Sequence, residues 1–581
     1  MTETVAGRVT DEVAGRLTET APAGHYDVIV VGSGFGGSVM TYRLREAGLN
    51  VCLLERGKAY PPGSFPRSPY AFRRAFWDPS EGLYGMYNAW WFDHIGALVS
   101  SALGGGSIIY ANVMLRKDPA WFVHEDIETG GFESWPISRD DLEPHYDRAE
   151  RMLNAQPFPF TYPPYDTTPR TVAFHGAARQ LGWEPFTPNL AVTFRNDGDD
   201  PVPGEPIREE HPNLHGRTRV TCRLCGECDI GCNFGSKNTL DYNYLSEAAR
   251  LGAEIHTLTE VRAFAPRDGG GWSVDLVRHD PSHEGVKLDT GSLPVIRISA
   301  DRLVLSAGTL GSTYLMYRNL PRLPRMLGTR FAGNGDLLTL VRRPKSKVNG
   351  KMQETLIDPG RGPVITSAIR FADEADGGDG RGFYVQDIGF PEFVGWMLQT
   401  TDAPGFVSRL GHTAIRLLRE ALNQTPETNL SAEIADLIGD PESAGILPLA
   451  GMGRDVPNGR LTLNGDRLES DWRIDRSDPY FARVRDAHRK LAKALGGTFS
   501  DNPLWLLGER VITAHPLGGC PMGRDEREGV VSDTGHVFGY DGLYVADGSV
   551  MPGSVGPNPS LTIAAVSDRI ADRLLAEVGK G

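Results

Sequence analysis

The sequence predicts an α/β fold, and three neighbouring features indicate it. A short β-branched run, Tyr26–Val31, leads into the glycine turn Gly32–Gly37. A helical pattern follows over Ser38–Ala47. A second apolar run, Val51–Leu54, then ends in the acid Glu55. This succession of strand, glycine turn, helix, strand and acid is typical of a Rossmann-like βαβ unit.

Length and composition are those of an ordinary globular protein. The 581 residues suffice for several domains. Hydrophobic residues make up 40% and charged residues 23%, which excludes a largely disordered or fibrous chain. The net charge is −14, and the sequence contains no concentrated run of Lys or Arg. Because phosphate binding needs concentrated positive charge, we expect no nucleic-acid partner.

Apolar stretches are too short for a membrane helix, which needs roughly 20 apolar residues. The longest mainly apolar runs are Val28–Val31 and Gly96–Leu103. We therefore expect no membrane span, while transient contact with a membrane surface stays open. Residues 1–24 hold no apolar stretch of signal-peptide type. We expect a disordered tail there and a cytoplasmic protein.

The GxGxxG turn has the residues that a dinucleotide requires. Gly32 permits the tight bend, Gly34 lets a pyrophosphate approach the backbone, and Gly37 lets helix and strand pack closely. Glu55 follows at the distance where a carboxylate accepts ribose hydroxyls. That acid disfavours a 2′-phosphate and hence NADP, so FAD and NAD remain.

A second glycine-rich turn, Leu103–Ser107, precedes Tyr110, Asn112 and Met114. Three consecutive glycines are costly for structure alone, because glycine loses the most freedom on folding. We interpret this turn as a place where a ligand approaches the backbone. A further buried strand, Arg302–Ala307, runs into Gly308.

The C-terminal part has the densest set of candidate residues. A strand ends at Asp547 and Gly548, and after a Gly/Pro loop Asn558 and Pro559 begin the helix Leu561–Ala576. A helix start there can direct its positive end at an anion, such as the N1–C2 locus of a reduced flavin. The Asn558 amide is free to donate to a substrate oxygen. His515 lies in a Pro/Gly loop, where a lone histidine is more often structural than catalytic.

Two segments allow more than one interpretation. Residues 60–92 hold 11 aromatics in 33 positions, which fits a packed excursion over the core, an apolar loop lining a pocket entrance, or both. Four of the six cysteines, Cys222, Cys225, Cys228 and Cys232, follow the C-x2-C-x2-C-x3-C spacing of bacterial ferredoxins, with Asn233 where proline is usual. An iron–sulfur cluster, a zinc ion, and a reduced or disulfide-stapled loop all fit this spacing.

Five segments together resemble the glucose–methanol–choline (GMC) family of FAD oxidoreductases. They are VIVVGSGFGGSV with Glu55, LGGGSIIYANVM, WPISRDDLEPHYDRAERML, HPLGGCPMG and LYVADGSVMPGSVGPNPSLTIAA. The resemblance extends from about Tyr26 to Leu575. Within the family the chain is most similar to the bacterial cholesterol oxidase group, which the stretch Ser236–Val261 also matches.

The resemblance implies the GMC fold, in which a Rossmann-like FAD-binding domain is combined with a discontinuous substrate-binding domain built on an antiparallel sheet with helices. We expect residues 25–130, 219–330 and 501–581 in the FAD-binding domain. Residues 131–218 and 331–500 are expected in the substrate-binding domain. Ile109 stands where members with covalent FAD have a histidine, so the flavin is expected to be non-covalent.

The resemblance also implies a set of cofactor contacts, with Val261 where the backbone meets adenine. The implied contacts are Gly32, Gly34, Phe35, Gly36, Gly37, Glu55, Arg56, Gly104, Gly105, Ser107, Asn112, Met114, Val261, Ala307, Gly308, Asp547, Gly548, Asn558, Pro559 and Ser560.

The implied reaction is oxidation of a bulky apolar alcohol, such as a 3-hydroxysteroid, by hydride transfer to flavin N5. His515 and Asn558 fall on the family's active-site His and Asn. Asp387 falls where the sterol enzymes have the glutamate used for double-bond isomerisation, one methylene shorter. O2 or another electron acceptor completes the cycle. The alternative is a long-chain fatty alcohol oxidase or dehydrogenase that uses a non-oxygen acceptor, with an iron–sulfur cluster as a candidate carrier.

Overall fold

A computed structural model describes residues 17–67, 73–125, 131–348, 351–354, 357–390, 446–506 and 508–580. Most of the tail expected over residues 1–24 lies outside these ranges, as do residues 391–445 of the expected substrate-binding domain. The described helices are Phe35–Glu46, Arg139–Met152, Pro169–Gln180, Tyr244–Arg250, Gly308–Asn319, Asp478–Ala494, Pro503–Leu506 and Ser560–Glu577. None of the helices in these ranges has the length and apolar character needed to cross a bilayer.

A seven-stranded sheet, here sheet A, forms the first layer. Its strands lie in the order Glu254–His256, Val51–Leu54, His25–Val31, Ile296–Leu305, Trp272–Arg278 and Thr259–Pro266, with Leu543–Val545 also paired to Ile296–Leu305. The first four and Leu543–Val545 are mutually parallel, whereas the other two join antiparallel. The parallel strands are buried runs rich in Val, Ile and Leu, as strands covered on both faces must be.

Sheet A brings four chain segments to one edge. The carboxyl ends of its parallel strands lead into Gly32, Glu55, Ser306 and Ala546. The helices Phe35–Glu46 and Ser560–Glu577 pack against each other beside this edge. Ligands of open α/β sheets bind outside the carboxyl ends of the strands, so this edge is where a nucleotide is expected. The α/β prediction is confirmed.

A second, wholly antiparallel sheet of six strands is here sheet B. Its order is Pro185–Phe186, Ala368–Phe371, Phe383–Asp387, Ile446–Gly453, Leu337–Arg342 and Thr498–Asp501. The amphipathic helix Asp478–Ala494 packs on it through Tyr480, Val484 and Leu491. The antiparallel prediction is confirmed for the described part of residues 331–500. The proposed domain bounds themselves stay a prediction.

The remaining described strands form smaller sheets. Two have three strands each: Gln156–Pro157, Asn189–Leu190 and Val113–Met114 form one, and Val511–Thr513, Ile95–Ser100 and Tyr87–Trp91 form the other. The two-stranded pairs are Trp77–Asp78 with Leu83–Tyr84, Val123–Glu125 with Phe132–Ser134, Lys345–Val348 with Lys351–Glu354, and Leu461–Asn464 with Arg467–Ser470.

The aromatic stretch of residues 60–92 is largely packed inside the protein. Seven of its described aromatics are buried, namely Tyr60, Phe65, Phe76, Trp77, Tyr84, Tyr87 and Phe92, while Trp90 and Trp91 are half-buried. Tyr60 and Phe65 stack with ring centroids 5.2 Å apart. This supports the packed-excursion interpretation. Tyr70 and Phe72 lie outside the described residues.

Candidate active site

The first glycine turn is shaped by direct backbone packing. Gly32 has φ +97°, and a Cβ on Gly36 would overlap the carbonyl of Ala546. A Cβ on Gly37 would overlap the carbonyl of Gly32. Gly34 differs, because a Cβ there would meet no atom within 4 Å. Three glycines therefore serve packing, and Gly34 faces space that a pyrophosphate can use.

Glu55 is held beside this turn by its own hydrogen bonds. Its buried carboxylate accepts from Ser33 N at 3.0 Å, Ser33 Oγ at 2.6 Å and Gly57 N at 2.8 Å. Thr259 N donates to the Glu55 carbonyl at 2.8 Å, which places the strand containing Val261 alongside. Arg56 follows, with its guanidinium 5.7 Å from the Trp77 ring centroid. The acid thus lies where ribose hydroxyls meet a Rossmann-like sheet.

The second glycine turn lies directly on the first. Gly104 and Gly105 have φ +95° and +52°, and Gly104 N donates to Ser33 Oγ at 3.0 Å. Gly105 has no room for a Cβ because Gly34 Cα lies against it. Phe35 and Tyr110 make an edge contact at 5.5 Å between their centroids. The two turns therefore form one continuous surface.

Asn112 follows the second glycine turn. It is fully buried with φ +68°, and its amide lies beside the Cys228 thiol. Ser107 Oγ donates to the Gly104 carbonyl and accepts from Leu240 N. Met114 is buried in the strand that follows.

Asp547 joins the ends of two strands and the start of a helix. Its carboxylate accepts from Gly308 N at 2.9 Å, Ser312 Oγ at 2.6 Å and Ser549 N at 2.8 Å. Burial raises the pKa of the Asp547 carboxyl above its usual range, and these donors oppose the rise. Ala307 caps the helix that Gly308 begins, and Gly308 and Gly548 face each other across this network. This part of the surface is polar and rigid.

His515 is oriented by an acid that sequence reasoning missed. Its Nδ1 lies 2.8 Å from Asp336 Oδ1, and its ring is partly exposed. Thr513 Oγ1 and Ala514 N both donate to Asp336 Oδ2 at 2.9 Å. A carboxylate at Nδ1 favours the tautomer with its proton there, so Nε2 is left as an acceptor. Asp336 is 179 residues from His515, and no local spacing indicates the pair.

Asn558 has an equally distant partner. Its Oδ1 accepts from Gln386 Nε2 at 2.8 Å, which leaves the Asn558 NH2 to donate elsewhere. Asn558 is buried just before Pro559 and the helix that begins at Ser560. Gln386 lies on the central strand Phe383–Asp387 of sheet B. The pair therefore links sheet B to a helix packed beside sheet A.

A short segment between the two sheets contacts both candidate residues. Asp336 holds His515, and Asn334, two residues earlier, accepts from Gly556 N at 2.8 Å. Asn334 Nδ2 also donates to the Pro557 carbonyl at 3.1 Å, directly before Asn558. Asn334 is fully buried and has φ +54°. The segment 334–336 thus fixes the loop of His515 and the loop of Asn558 relative to each other.

Asp387, at the position of the sterol enzymes' isomerisation glutamate, has a carboxylate that is fully engaged. Its carboxylate pairs with Arg170 Nε at 2.7 Å, and both side chains are completely buried. It also accepts from Thr366 N, Thr366 Oγ1 and Ser367 N at 2.7 to 2.9 Å. Side chains alternate along a strand, so the neighbour Gln386 faces Asn558 and Asp387 faces away.

Comparison with known proteins identifies the family of this chain. A model described as "GMC oxidoreductase" matches residues 457–567, and a "NAD(P)-binding Rossmann-like domain" model matches residues 30–61. A cholesterol oxidase of Mycobacterium tuberculosis is 30% identical over 575 residues, covering 94% of this chain and 90% of the relative. A cholesterol oxidase of Acinetobacter baumannii is 27% identical, covering 94% and 93%.

More distant matches also extend over most of the chain. A long-chain-alcohol oxidase of Arabidopsis thaliana is 23% identical and covers 94% of this chain and 67% of the relative. The crystal structure of pyridoxine 4-oxidase from Mesorbium loti superposes with a TM-score of 0.52 at 17% identity, covering 94% of this chain and 99% of that one. From the extent of the first match, the chain belongs to the GMC oxidoreductase family.

Proposed function

We propose that this protein oxidises a bulky apolar alcohol, a 3-hydroxysteroid, to the ketone with FAD as the hydride acceptor. The observation that carries the proposal is the segment 334–336, which holds the His515 loop and the Asn558 loop together at the edge of the two sheets. A proton acceptor and an amide donor fixed at one place are what oxidation of a carbinol requires.

Non-covalent FAD fits the continuous surface formed by the two glycine turns. Gly34 offers open space for the pyrophosphate, and Glu55 offers a carboxylate for the ribose. The helix that begins at Ser560 offers its positive end to the flavin. When bound, FAD supplies a two-electron acceptor that takes the carbinol hydrogen as hydride at N5.

The chain itself handles the hydroxyl proton. An isolated alcohol is too weak an acid to ionise at neutral pH, so hydride loss needs a base at the oxygen. His515 Nε2 is the free acceptor for that proton, and Asp336 stabilises the imidazolium that results. The Asn558 NH2, directed by Gln386, donates to the alcohol oxygen and positions it. In the reverse reaction, ketone reduction, the protonated His515 would donate this proton back to the substrate oxygen.

The steroid assignment rests on resemblance to the cholesterol oxidases of M. tuberculosis and A. baumannii. The second candidate is a long-chain fatty alcohol, favoured by the match to the Arabidopsis long-chain-alcohol oxidase. Both substrates are apolar alcohols, and the same two residues would act on either. O2 or another acceptor would reoxidise the flavin.

The test is an anaerobic visible spectrum of the purified protein before and after adding a 3β-hydroxysterol. Bleaching of the oxidised flavin bands by the sterol is expected, with a stoichiometric ketone product. The His515→Gln variant should bind flavin and fail to bleach. If the flavin stays oxidised with the sterol but is bleached by a long-chain alcohol, the substrate is a long-chain alcohol and not a steroid. Well-folded protein with no flavin would overturn the whole proposal.

A further inference from the structure

Four cysteines with no role in the proposed reaction line a single cavity. Cys222, Cys225, Cys228 and Cys232 face one small space that is partly open to solvent. All four are free thiols, with Cys222 and Cys228 buried and the other two partly exposed. They come from one short loop that folds against residues 362–363. We call this space the cysteine cavity.

Backbone N–H groups point at the sulfurs of the cysteine cavity. Leu224 N donates to Cys222 Sγ at 3.4 Å, and Leu224 has φ +58°, a left-handed conformation rare for leucine. Glu227 N donates likewise to Cys225, two residues earlier. Such donors stabilise anionic sulfur, the form that binds metals, more than they stabilise a neutral thiol. Strained backbone of this kind is concentrated at functional sites.

A buried cation lies beside the same loop. Lys237 is almost fully buried and lines the cysteine cavity. Its Nζ donates to the Cys228 carbonyl at 2.6 Å and to the Ile108 carbonyl at 2.9 Å. A buried ammonium is costly unless negative charge is nearby. The carboxylates of Asp229 and Asp241 supply part of that charge, together with the sulfurs of Cys228 and Cys232.

The geometry distinguishes a cluster from a single ion. Tetrahedral zinc holds thiolates at about 2.3 Å, which places their sulfurs about 3.8 Å from one another. Within the described ranges, no three of these cysteines have their sulfurs all within 4.8 Å of one another. A core of several irons separates its thiolate ligands more widely. In two-cluster bacterial ferredoxins with this x2, x2, x3 spacing the fourth cysteine ligates a second cluster, whereas here all four cysteines line the same cavity.

We propose that the four thiolates of the cysteine cavity hold a [4Fe–4S] cluster. Lys237 ties this loop to Ile108 in the second glycine turn, and the Asn112 amide lies beside the Cys228 thiol. The cluster would therefore lie next to the surface assigned above to the flavin. An iron–sulfur cluster carries single electrons, so this site would suit the chain to an acceptor other than O2. The assignment does not depend on which alcohol is oxidised.

The experiment is iron, zinc, acid-labile sulfide and flavin analysis of full-length protein purified without oxygen, followed by EPR of the dithionite-reduced sample. We expect about four irons and four sulfides per chain and a reduced-cluster signal. Cys225→Ser, at a partly exposed position, should lose most of the iron and the signal while keeping its flavin. Cys52→Ala, a thiol in sheet A, should keep both.

Several results would overturn the cluster. Among them are zinc in place of iron, a disulfide between any two of the four cysteines by mass spectrometry, and no metal even after anaerobic reconstitution with iron and sulfide. Equal iron in wild type and in the variant lacking all four thiols would mean adventitious iron and overturn it too. Flavin content is measured in the same samples, so failure of the cluster is separable from failure of the proposed alcohol oxidation.

Discussion

The carboxylate of Asp336 lies 2.8 Å from Nδ1 of His515, although the two residues are 179 positions apart in the chain. The same carboxylate is fixed by Thr513 Oγ1 and Ala514 N, both from the histidine's own loop. The imidazole is therefore held in one orientation and one tautomer. This makes Asp336 a positioning residue for His515.

Asp336→Asn should lower kcat by about 100-fold, because the amide no longer stabilises an imidazolium and can reverse the tautomer. Flavin content and KM should change little. Steady-state kinetics across a pH range would check this, since a purely structural role would not alter the pH profile. Asp541→Asn, an exposed acid, is the control. Unchanged kcat in Asp336→Asn would contradict the role.

Gln386→Leu should lower kcat by about tenfold, the effect of losing roughly one hydrogen bond of 1.4 kcal/mol. The reason is that Gln386 Nε2 directs the Asn558 amide toward the alcohol. Anaerobic flavin reduction by the alcohol, followed by stopped flow, isolates this step from reoxidation. Gln180→Leu, at the exposed end of a helix, should leave the rate unchanged. A normal reduction rate in Gln386→Leu would show that Asn558 needs no such support.

Three glycine variants separate cofactor binding from folding. Gly34→Ala should fold normally and bind FAD about tenfold or more weakly, because its methyl group enters the open space of the turn. Gly36→Ala should lower the free energy of unfolding by about 3 kcal/mol, since its methyl group overlaps the Ala546 carbonyl. Gly176→Ala lies in a helix with no atom within 4 Å and should be neutral or slightly stabilising. Thermal melts and flavin titration measure both properties, and equal FAD affinity in Gly34→Ala would place the pyrophosphate elsewhere.

Asp387→Ala should destabilise the protein by about 3–5 kcal/mol, because it leaves the Arg170 guanidinium buried without its partner. Urea denaturation measures the loss. Asp486→Ala, which removes an exposed ion pair with Lys490, should have no measurable effect. If Asp387→Asn instead kept full stability and lost only isomerisation of a steroid product, a catalytic role for Asp387 would be restored.

We expect the buried His488 to make the free energy of unfolding of the protein sensitive to acid. It is fully buried, its Nδ1 lies 2.8 Å from Thr339 Oγ1, and burial lowers its pKa to about 3. In the unfolded chain the pKa of His488 is about 6.5. Below that pH, the unfolded chain binds a proton at His488 and the folded chain does not. Stability therefore falls as pH drops below that value, by about 2 kcal/mol at pH 5.

His488→Gln removes this contribution, so its free energy of unfolding should fall less between pH 7 and pH 5 than that of the wild type. Urea melts at both pH values measure the difference. His283→Gln, an exposed histidine, should behave as the wild type does. The same slope in all three proteins would contradict the assignment.

Much of the nucleotide edge follows from local sequence. The turn at Gly32, the helix after it and the acid at Glu55 depend on residues adjacent in the chain, and the structure places that helix at Phe35–Glu46. The strand Val51–Leu54 occurs as expected. The C-terminal helix, expected over Leu561–Ala576, spans Ser560–Glu577. Backbone conformation and helix capping depend on a few neighbouring residues, so such features can be predicted from the sequence without knowledge of the fold.

The α/β class, the glycine turns and the cysteine spacing can be predicted from the residues, and the family resemblance adds His515 and Asn558 as candidates. Their partners become visible only in the folded protein: Asp336 for His515, Gln386 for Asn558, and Arg170 for Asp387. The fold also brings all four cysteines around one cavity. The physical reason is that these contacts join residues far apart in the chain. Which distant strands and loops meet is set by burial of the whole core, and no local propensity encodes it.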